Sequence, residues 1–193
     1  MKNIIKEFKV SPLEETKFVH PVQLSYIQNG KKKKWEAVKS FDSVSVLLYH
    51  EEFDAFVLVK QFRPPVYFND ENKTYTYELC AGIIDKEVSL KTIVQEEIDE
   101  ACGYNVSLSS IQKITSFYTN VGVSGAKQHL YYAKIDESMK VHEGGGIHDE
   151  EIELYFLKLQ EAKAFIYDET KAKTPGLMFA FYWFFEKNKN RLF

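Results

Sequence analysis

Hydrophobic and polar residues alternate in short segments near residues 22–26 and 43–46, and this two-residue period is that of β-strands. Val22, Leu24 and Tyr26 alternate with polar residues, and Asn29-Gly30 is a strong two-residue turn signal. The pattern predicts a β-hairpin over residues 18–38. Later apolar runs predict further strands near residues 43–49, 55–62, 75–79, 111–118, 128–135 and 152–157.

One segment in the middle of the chain has the period of an amphipathic helix. Ser89 is a suitable N-cap, Gly103 is a suitable C-terminal residue, and apolar residues recur at helical spacing from Leu90 to Cys102. Two further helices are predicted near residues 160–167 and 175–187. The mixture predicts an α+β fold in which β-sheets flank one central helix.

Composition narrows the possible classes of protein. The 193 residues carry a net charge of -3, which predicts no general affinity for nucleic acid or an anionic membrane. The longest apolar run, residues 177–185, is far shorter than a membrane-spanning helix. Lys31–Lys34 is interpreted as a solvated hairpin tip. With only two cysteines, no disulfide framework is expected, and we predict a soluble protein of the reducing cytoplasm.

The central helix carries a cluster of carboxylates at Glu96, Glu97, Asp99 and Glu100. Glu97 falls within the apolar stripe of the helix, and a carboxylate on the buried side needs a partner because an isolated buried charge is very unfavourable. Mg²⁺ or Mn²⁺ is such a partner, since these ions prefer oxygen ligands. The alternative is a solvated acidic face in which Glu97 pairs with a lysine. The spacing alone leaves both interpretations open.

The segment from Gly82 to Tyr104 resembles the Nudix box, G-x5-E-x7-R-E-U-x-E-E-x-G-U, with U an aliphatic or similar residue, and the register fits without a gap. The flanks are similar to the ADP-ribose and UDP-sugar pyrophosphatase branch of that family, most closely to its UDP-glucose type. The resemblance extends from about His20 to Phe185 and includes residues 58–64, 78–82, 120–125 and 144–151.

The resemblance implies the α/β/α sandwich of the Nudix fold and a specific reaction. The expected activity is metal-dependent hydrolysis of the diphosphate of a nucleoside diphosphate sugar, UDP-glucose or ADP-ribose, to a nucleoside monophosphate and a sugar phosphate. It also implies a β-rich subdomain over residues 1–40 that forms a homodimer, and a catalytic domain over residues 41–193.

Three positions depart from the box, at Val88, Glu96 and Ala101. In the family the first glutamate and the arginine form a structural pair, and here Val88 and Glu96 replace both partners. Ala101 replaces the last glutamate, which usually holds metal. The departure at Ala101 predicts weaker metal binding, and it supports an alternative function as a nucleotide-sugar-binding protein with weakened catalysis.

The resemblance assigns the metal to Glu97, Glu100 and the carbonyl of Ala81, with Glu96 as a substitute for the missing carboxylate. The expected cofactor is Mg²⁺ or Mn²⁺, and Glu97 is also counted as catalytic.

The expected substrate-binding residues are Arg63, Glu78 and Gly82. Arg63 is one of two arginines in the chain and follows a predicted strand, where its guanidinium can bind a phosphate with two hydrogen bonds. The alternative for Arg63 is a structural ion pair.

The resemblance implies that the general base comes from a late loop, which here begins with Gly144–Gly146. Glu150 matches best, with Glu151 and Glu153 as alternatives, and all three can also be ordinary solvated acids. His148 lies in the same loop, where contact with the substrate is one interpretation and a loop histidine without a role is the favoured one.

Overall fold

The protein is described by a computed structural model that covers residues 4–147 and 150–188. Within these residues the strands are β1 (His20–Gln28), β2 (Lys31–Lys39), β3 (Ser43–His50), β4 (Ala55–Gln61), β5 (Thr76–Glu78), β6 (Cys80–Ile83), β7 (Gln112–Tyr118), β8 (Lys127–Ile135), β9 (Glu153–Lys158) and β10 (Ala172–Lys173). The helices are α1 (Pro64–Asn69), α2 (Leu90–Glu97), α3 (Leu159–Tyr167) and α4 (Pro175–Lys187).

The predicted hairpin is confirmed as β1 and β2. Asn29 and Gly30 both have left-handed backbone conformations, with φ of 53° and 75°, and Gln28 pairs with Lys31 across the turn. Two positive φ values in a two-residue turn match the right-handed twist of the strands. Two hydrogen bonds connect β2 to the loop between β7 and β8: the Val38 amide donates to the Val123 carbonyl, and the Trp35 indole donates to the Gly122 carbonyl.

The remaining strands form one mixed sheet in the order β10-β5-β4-β3-β8-β7, in which β6 also pairs with β3 and β9 with β4. The β3–β8 and β10–β5 pairs are parallel and the others are antiparallel. Strands β3 and β4 pair only near residues 48–50 and 55–57. Beyond that point β3 continues with β6 and β4 with β5, so the two central strands diverge.

Hydrophobic cores lie on both faces of this sheet. In β3, Leu47 and Tyr49 belong to the core that α3 and α4 cover. Val44, Val46 and Leu48 belong to the core that α2 covers. Because both faces are buried, β3 and β4 are nearly continuous apolar runs. The structure is therefore mixed α+β with few helices, as predicted.

The central helix has the predicted extent but a different last turn. Ser89 caps α2 by accepting a hydrogen bond from the Thr92 amide at 3.1 Å. Residues Ile98–Cys102 continue α2 as a π-helical turn, which the spacing did not predict. Gly103, with φ of 75°, ends this turn in the left-handed conformation. Single π-turns occur often at functional sites.

Three elements were not expected from the sequence, and one of them, β6, lies directly after the predicted strand over residues 75–79. Helix α1 begins at Pro64, where the two prolines occupy the first turn and no amide hydrogen is needed. Strand β10 is only two residues long and is defined by its pairing with β5. In the described part of the chain, no helix combines the length and apolar character required to cross a membrane.

Candidate active site

A cleft of ≈ 680 Å³ opens where β3 and β4 diverge. Its walls are the start of β3, the ends of β4 and β5, strand β6 and the inner face of α2. The predicted site residues that line it are Arg63, Glu78, Ala81, Gly82, Glu97, Glu100 and Glu150. The structure therefore brings together seven predicted residues from five separate segments of the chain.

Glu97 lies at the floor of the cleft, partly buried against the backbone of Gly82. Burial, and then the charges of Glu100 and Glu150, raise the pKa of Glu97 from 4.5 to about 7. A Cβ atom at Gly82 would lie only 1.8 Å from the Glu97 Oε1 atom. Glycine is therefore required at position 82 for Glu97 to occupy this place.

Glu96 points to a different environment from Glu97. Its carboxylate accepts a hydrogen bond from Lys86 Nζ at 2.8 Å, and Glu96 is absent from the cleft wall, whereas Lys86 lines it. The solvated-face interpretation expected a lysine to pair with Glu97. The structure instead pairs Lys86 with Glu96. The pair joins the loop before α2 to the helix. Its charges are exchanged relative to the pair that the resemblance implies, because here the helix supplies the glutamate and the loop supplies the cation.

Ala101 lines the cleft beside Glu97 and presents a methyl group where the box has its last glutamate. Among residues 4–147 and 150–188, no group of three or more histidine, cysteine, aspartate and glutamate side chains is placed to hold a metal ion. Of the metal ligands that the resemblance implies, the cleft is lined by Glu97, Glu100 and Ala81.

This donor set fits a divalent cation that keeps several water or phosphate ligands, as Mg²⁺ does. The fit rests on Glu97, a partly buried carboxylate close to other acids. Its environment favours protonation in the absence of a cation and would favour a bound cation. No lysine, arginine or histidine of the described residues lies within ion-pair distance of Glu97.

Arg63 and Glu78 both line the cleft and form a pair. The Arg63 Nε and Nη2 atoms donate to the two carboxylate oxygens of Glu78 at 2.8 and 2.9 Å. The Thr76 hydroxyl donates to the same carboxylate at 2.6 Å. Glu78 is only 12% exposed, whereas 45% of the Arg63 side chain is exposed. The structural ion pair therefore exists, and it fixes Arg63 at the cleft wall.

Of the three candidate bases, only Glu150 lines the described cleft. Its Oε2 atom accepts a hydrogen bond from the Ile147 amide at 3.1 Å. Glu153 lies in β9 and forms an ion pair with Lys60 at 2.9 Å, and Glu151 is exposed. His148 lies outside the described residues.

Several cleft residues were missed by the sequence reasoning. Lys86 and Asp85 line it from the loop after β6, and Phe18 and Phe41 line it from the segments that flank the hairpin. Lys86 could have been found from the sequence, because it is a lysine four residues after Gly82, the first residue of the box. For the two phenylalanines no local pattern exists, because only the folding of the hairpin onto the domain brings them to the cleft.

Comparisons with known proteins agree with this geometry. The uridine diphosphate glucose pyrophosphatase NUDT14 of Bos taurus is 33% identical over 196 residues, which cover 87% of this chain and 88% of that protein. Its Mus musculus counterpart is 30% identical over 198 residues, 88% of this chain and 89% of that protein.

A GDP-mannose pyrophosphatase of Pectobacterium atrosepticum is 33% identical over 127 residues, 66% of this chain and 64% of that protein. No model of a protein family matches the chain. The similarity to NUDT14 is decisive, because at 33% identity it covers 87% of this chain. The chain therefore belongs to the Nudix family of pyrophosphohydrolases, on the branch of the UDP-sugar pyrophosphatases, and is an enzyme.

Proposed function

We propose that this enzyme hydrolyses the diphosphate of a nucleoside diphosphate sugar to a nucleoside monophosphate and a sugar phosphate. UDP-glucose and ADP-ribose are the first candidates. The observation that carries the proposal is the cleft whose lining brings Glu97, Glu100 and Glu150 together with Arg63. Its volume of ≈ 680 Å³ lies within the range of small-molecule sites.

Glu97, Glu100 and the Ala81 carbonyl would hold the cofactor, Mg²⁺ or Mn²⁺, with Glu96 as a weaker candidate because Lys86 engages it. When bound, such an ion lowers the pKa of a water molecule and neutralises phosphate charge. Nudix pyrophosphatases generally use divalent metal ions, and the oxygen-only donor set supports this choice.

Arg63 and Lys86 supply positive charge on the cleft wall for the two phosphates. Because Glu78 engages two of the guanidinium nitrogens, the Arg63 side chain is held in one orientation before substrate binds. Gly82 lets Glu97 approach, and Glu78 acts on the substrate through Arg63.

Glu150 is the proposed general base. It accepts a proton from the attacking water as the new P–O bond forms and the bond to the bridging oxygen breaks. The bridging oxygen leaves with the departing phosphate. The position of Glu150 on the cleft wall, close enough to raise the pKa of Glu97, supports this role.

A second candidate function is nucleotide-sugar binding with weakened catalysis. The specific observation in its favour is Ala101, which leaves the cleft without the carboxylate of the last box glutamate.

One experiment separates the two functions. The protein is incubated with UDP-glucose, ADP-ribose or GDP-mannose in the presence of Mg²⁺ or Mn²⁺, and release of the nucleoside monophosphate is measured. Glu97→Gln is the matched negative control. Release by the wild type alone supports hydrolysis, whereas binding of UDP-glucose without release under either metal favours the second function.

We further propose that residues 1–40 form a dimerising subdomain and residues 41–193 the catalytic domain. Apolar side chains on the hairpin are exposed, including Ile27 at 70% and Trp35 at 53%, and a second copy would cover them. Sedimentation of Ile27→Lys against the wild type tests this, and a dimer of unchanged stability would contradict it. The hydrophobic cores on both sheet faces support the α/β/α sandwich.

We propose a cytoplasmic location because the two cysteines form no disulfide in the structure. Cys80 and Cys102 are both free and buried. They are close enough for their hydrogen bond, followed by burial, to raise the pKa of Cys80 well above its usual value. Two buried thiols that lie close together without a disulfide are typical of a reducing compartment.

A further inference from the structure

The carboxyl end of the acidic helix is covered by backbone amides of the glycine loop. The Gly146 amide donates to the Glu100 carbonyl and the Gly145 amide to the Ala101 carbonyl, both at 3.1 Å. The last carbonyls of a helix have no partner within the helix, so these two hydrogen bonds replace the missing ones. The same helix carries the proposed metal ligands.

The approach of the loop to the helix requires glycine. Gly144, Gly145 and Gly146 have φ of 69°, 113° and 86°, a region that other residues adopt only with strain. A Cβ atom at Gly144 would lie 2.5 Å from the Ala101 carbonyl oxygen. The loop backbone therefore packs directly on the helix end, and position 144 has no space for a side chain.

A histidine adds a side-chain connection between the same two elements. The His142 Nε2 atom lies 3.2 Å from the Asp99 Oδ1 atom, and His142 Nδ1 accepts a hydrogen bond from the Gly144 amide at 3.0 Å. Because Nδ1 accepts, Nε2 carries a proton and donates to Asp99. The imidazole thus links the helix to the first glycine of the loop.

Glu150 is attached to this loop by short local contacts. Its Oε2 atom accepts from the Ile147 amide at 3.1 Å, and a Cβ atom at Gly146 would lie 2.5 Å from the same oxygen. The Ile152 amide donates to the Gly145 carbonyl at 3.2 Å. The position of Glu150 therefore depends on where Gly145 and Gly146 lie.

We propose that His142 and Gly144–Gly146, bound to Asp99 and to the Glu100 and Ala101 carbonyls, form a positioning clamp. The clamp holds Glu150 in register with Glu97 and Glu100, so that the base and the metal ligands move as one unit. His142 and Asp99 are positioning residues that act through Glu150. The inference rests on the proposed function for the role of Glu150.

Kinetics of His142→Ala test the clamp, with UDP-glucose as the substrate. A displaced base lowers kcat by about tenfold or more, since small displacements at a reacting centre have effects of that order. KM and the affinity for Mn²⁺ stay within about twofold of the wild type, because Glu97, Glu100 and Arg63 are untouched. Asp99→Ala reproduces the loss, and the double variant adds nothing to it.

The Glu150→Gln background decides whether the clamp acts through the base. If it does, His142→Ala causes no further loss of kcat in that background, because effects of residues that act as a unit are not additive. Multiplicative losses overturn the proposal. A parallel loss of Mn²⁺ affinity also overturns it, since the clamp would then support the metal ligands.

Hydrogen exchange tests the clamp without reference to activity, so the proposed function and the clamp can fail separately. Gly145 and Gly146 amides exchange slowly in the wild type and about tenfold faster or more in His142→Ala. Gly30→Ala is the matched control, because Gly30 has φ of 75° and no heavy atom within 4 Å of its added Cβ. Rapid exchange of these amides in the wild type overturns the clamp even if hydrolysis is confirmed.

Discussion

Replacement of Glu97 by glutamine should stabilise the metal-free protein at alkaline pH. The pKa of Glu97 is raised from 4.5 to about 7, chiefly by burial. At about 1.4 kcal/mol per pH unit, this difference corresponds to roughly 3 kcal/mol of unfavourable free energy for the ionised group in the folded state. Because the carboxylate keeps part of its contact with solvent, we reduce the figure to roughly 2 kcal/mol.

The sign follows from proton linkage. The folded protein binds the Glu97 proton more tightly than the unfolded chain, so this stability is fully present below pH 4.5 and is lost as pH rises through about 7. Glutamine does not titrate. The advantage of Glu97→Gln over the wild type should therefore be less than about 1 kcal/mol near pH 5 and about 2 kcal/mol near pH 8.

Thermal unfolding in EDTA measures the difference at both pH values. For a chain of this length, about 2 kcal/mol corresponds to a Tm increase of about 4–8 °C. Glu96→Gln is the matched control, and it should gain nothing because Lys86 already pairs with Glu96. Mn²⁺ should then stabilise the wild type more than Glu97→Gln. Equal or lower stability of Glu97→Gln at pH 8 would refute the reasoning, since the ionised carboxylate would then have a favourable partner.

Four further outcomes are expected at the cleft. Ala101→Glu should tighten Mn²⁺ binding by about tenfold, measured by calorimetry, because it restores a carboxylate beside Glu97; unchanged affinity would place residue 101 away from the metal. Gly82→Ala should lower kcat by about 100-fold with little change in Tm, because its Cβ displaces the Glu97 carboxylate, and a wild-type rate would contradict this geometry. Arg63→Lys should raise KM by about tenfold because lysine cannot reproduce the two hydrogen bonds to Glu78; an unchanged KM would make the arginine purely structural. Mn²⁺ affinity of the wild type should rise from about pH 6 to about pH 8 as Glu97 ionises, and Glu97→Gln should lack this dependence.

Local patterns predicted the elements that carry the chemistry. Asn29-Gly30 defined the hairpin, and Ser89 and Gly103 defined the two ends of the helix. Glu97 could be singled out because one carboxylate interrupted an apolar stripe, and the structure finds it partly buried with a raised pKa. These predictions succeed because capping, turn and periodicity effects act between residues that are close in sequence.

Sequence patterns could not predict which residue each charged side chain pairs with. Glu96 pairs with Lys86, Arg63 with Glu78 and Glu153 with Lys60, and each pairing depends on how separate segments meet. The last of these pairs removes a candidate base from the cleft wall. Sequence spacing offered three similar glutamates, and only tertiary contacts distinguish them.

The sequence by itself determined most of the elements and their order, the register of the box from Gly82 to Gly103 and the chemical type of the site. Only the tertiary structure decided where the cleft opens, which acids face it and how the loop of Glu150 meets the helix end. The physical reason is that periodicity reports which side of an element is buried. The divergence of β3 from β4, and the contact of Gly144–Gly146 with the helix, arise from packing between segments far apart in the chain.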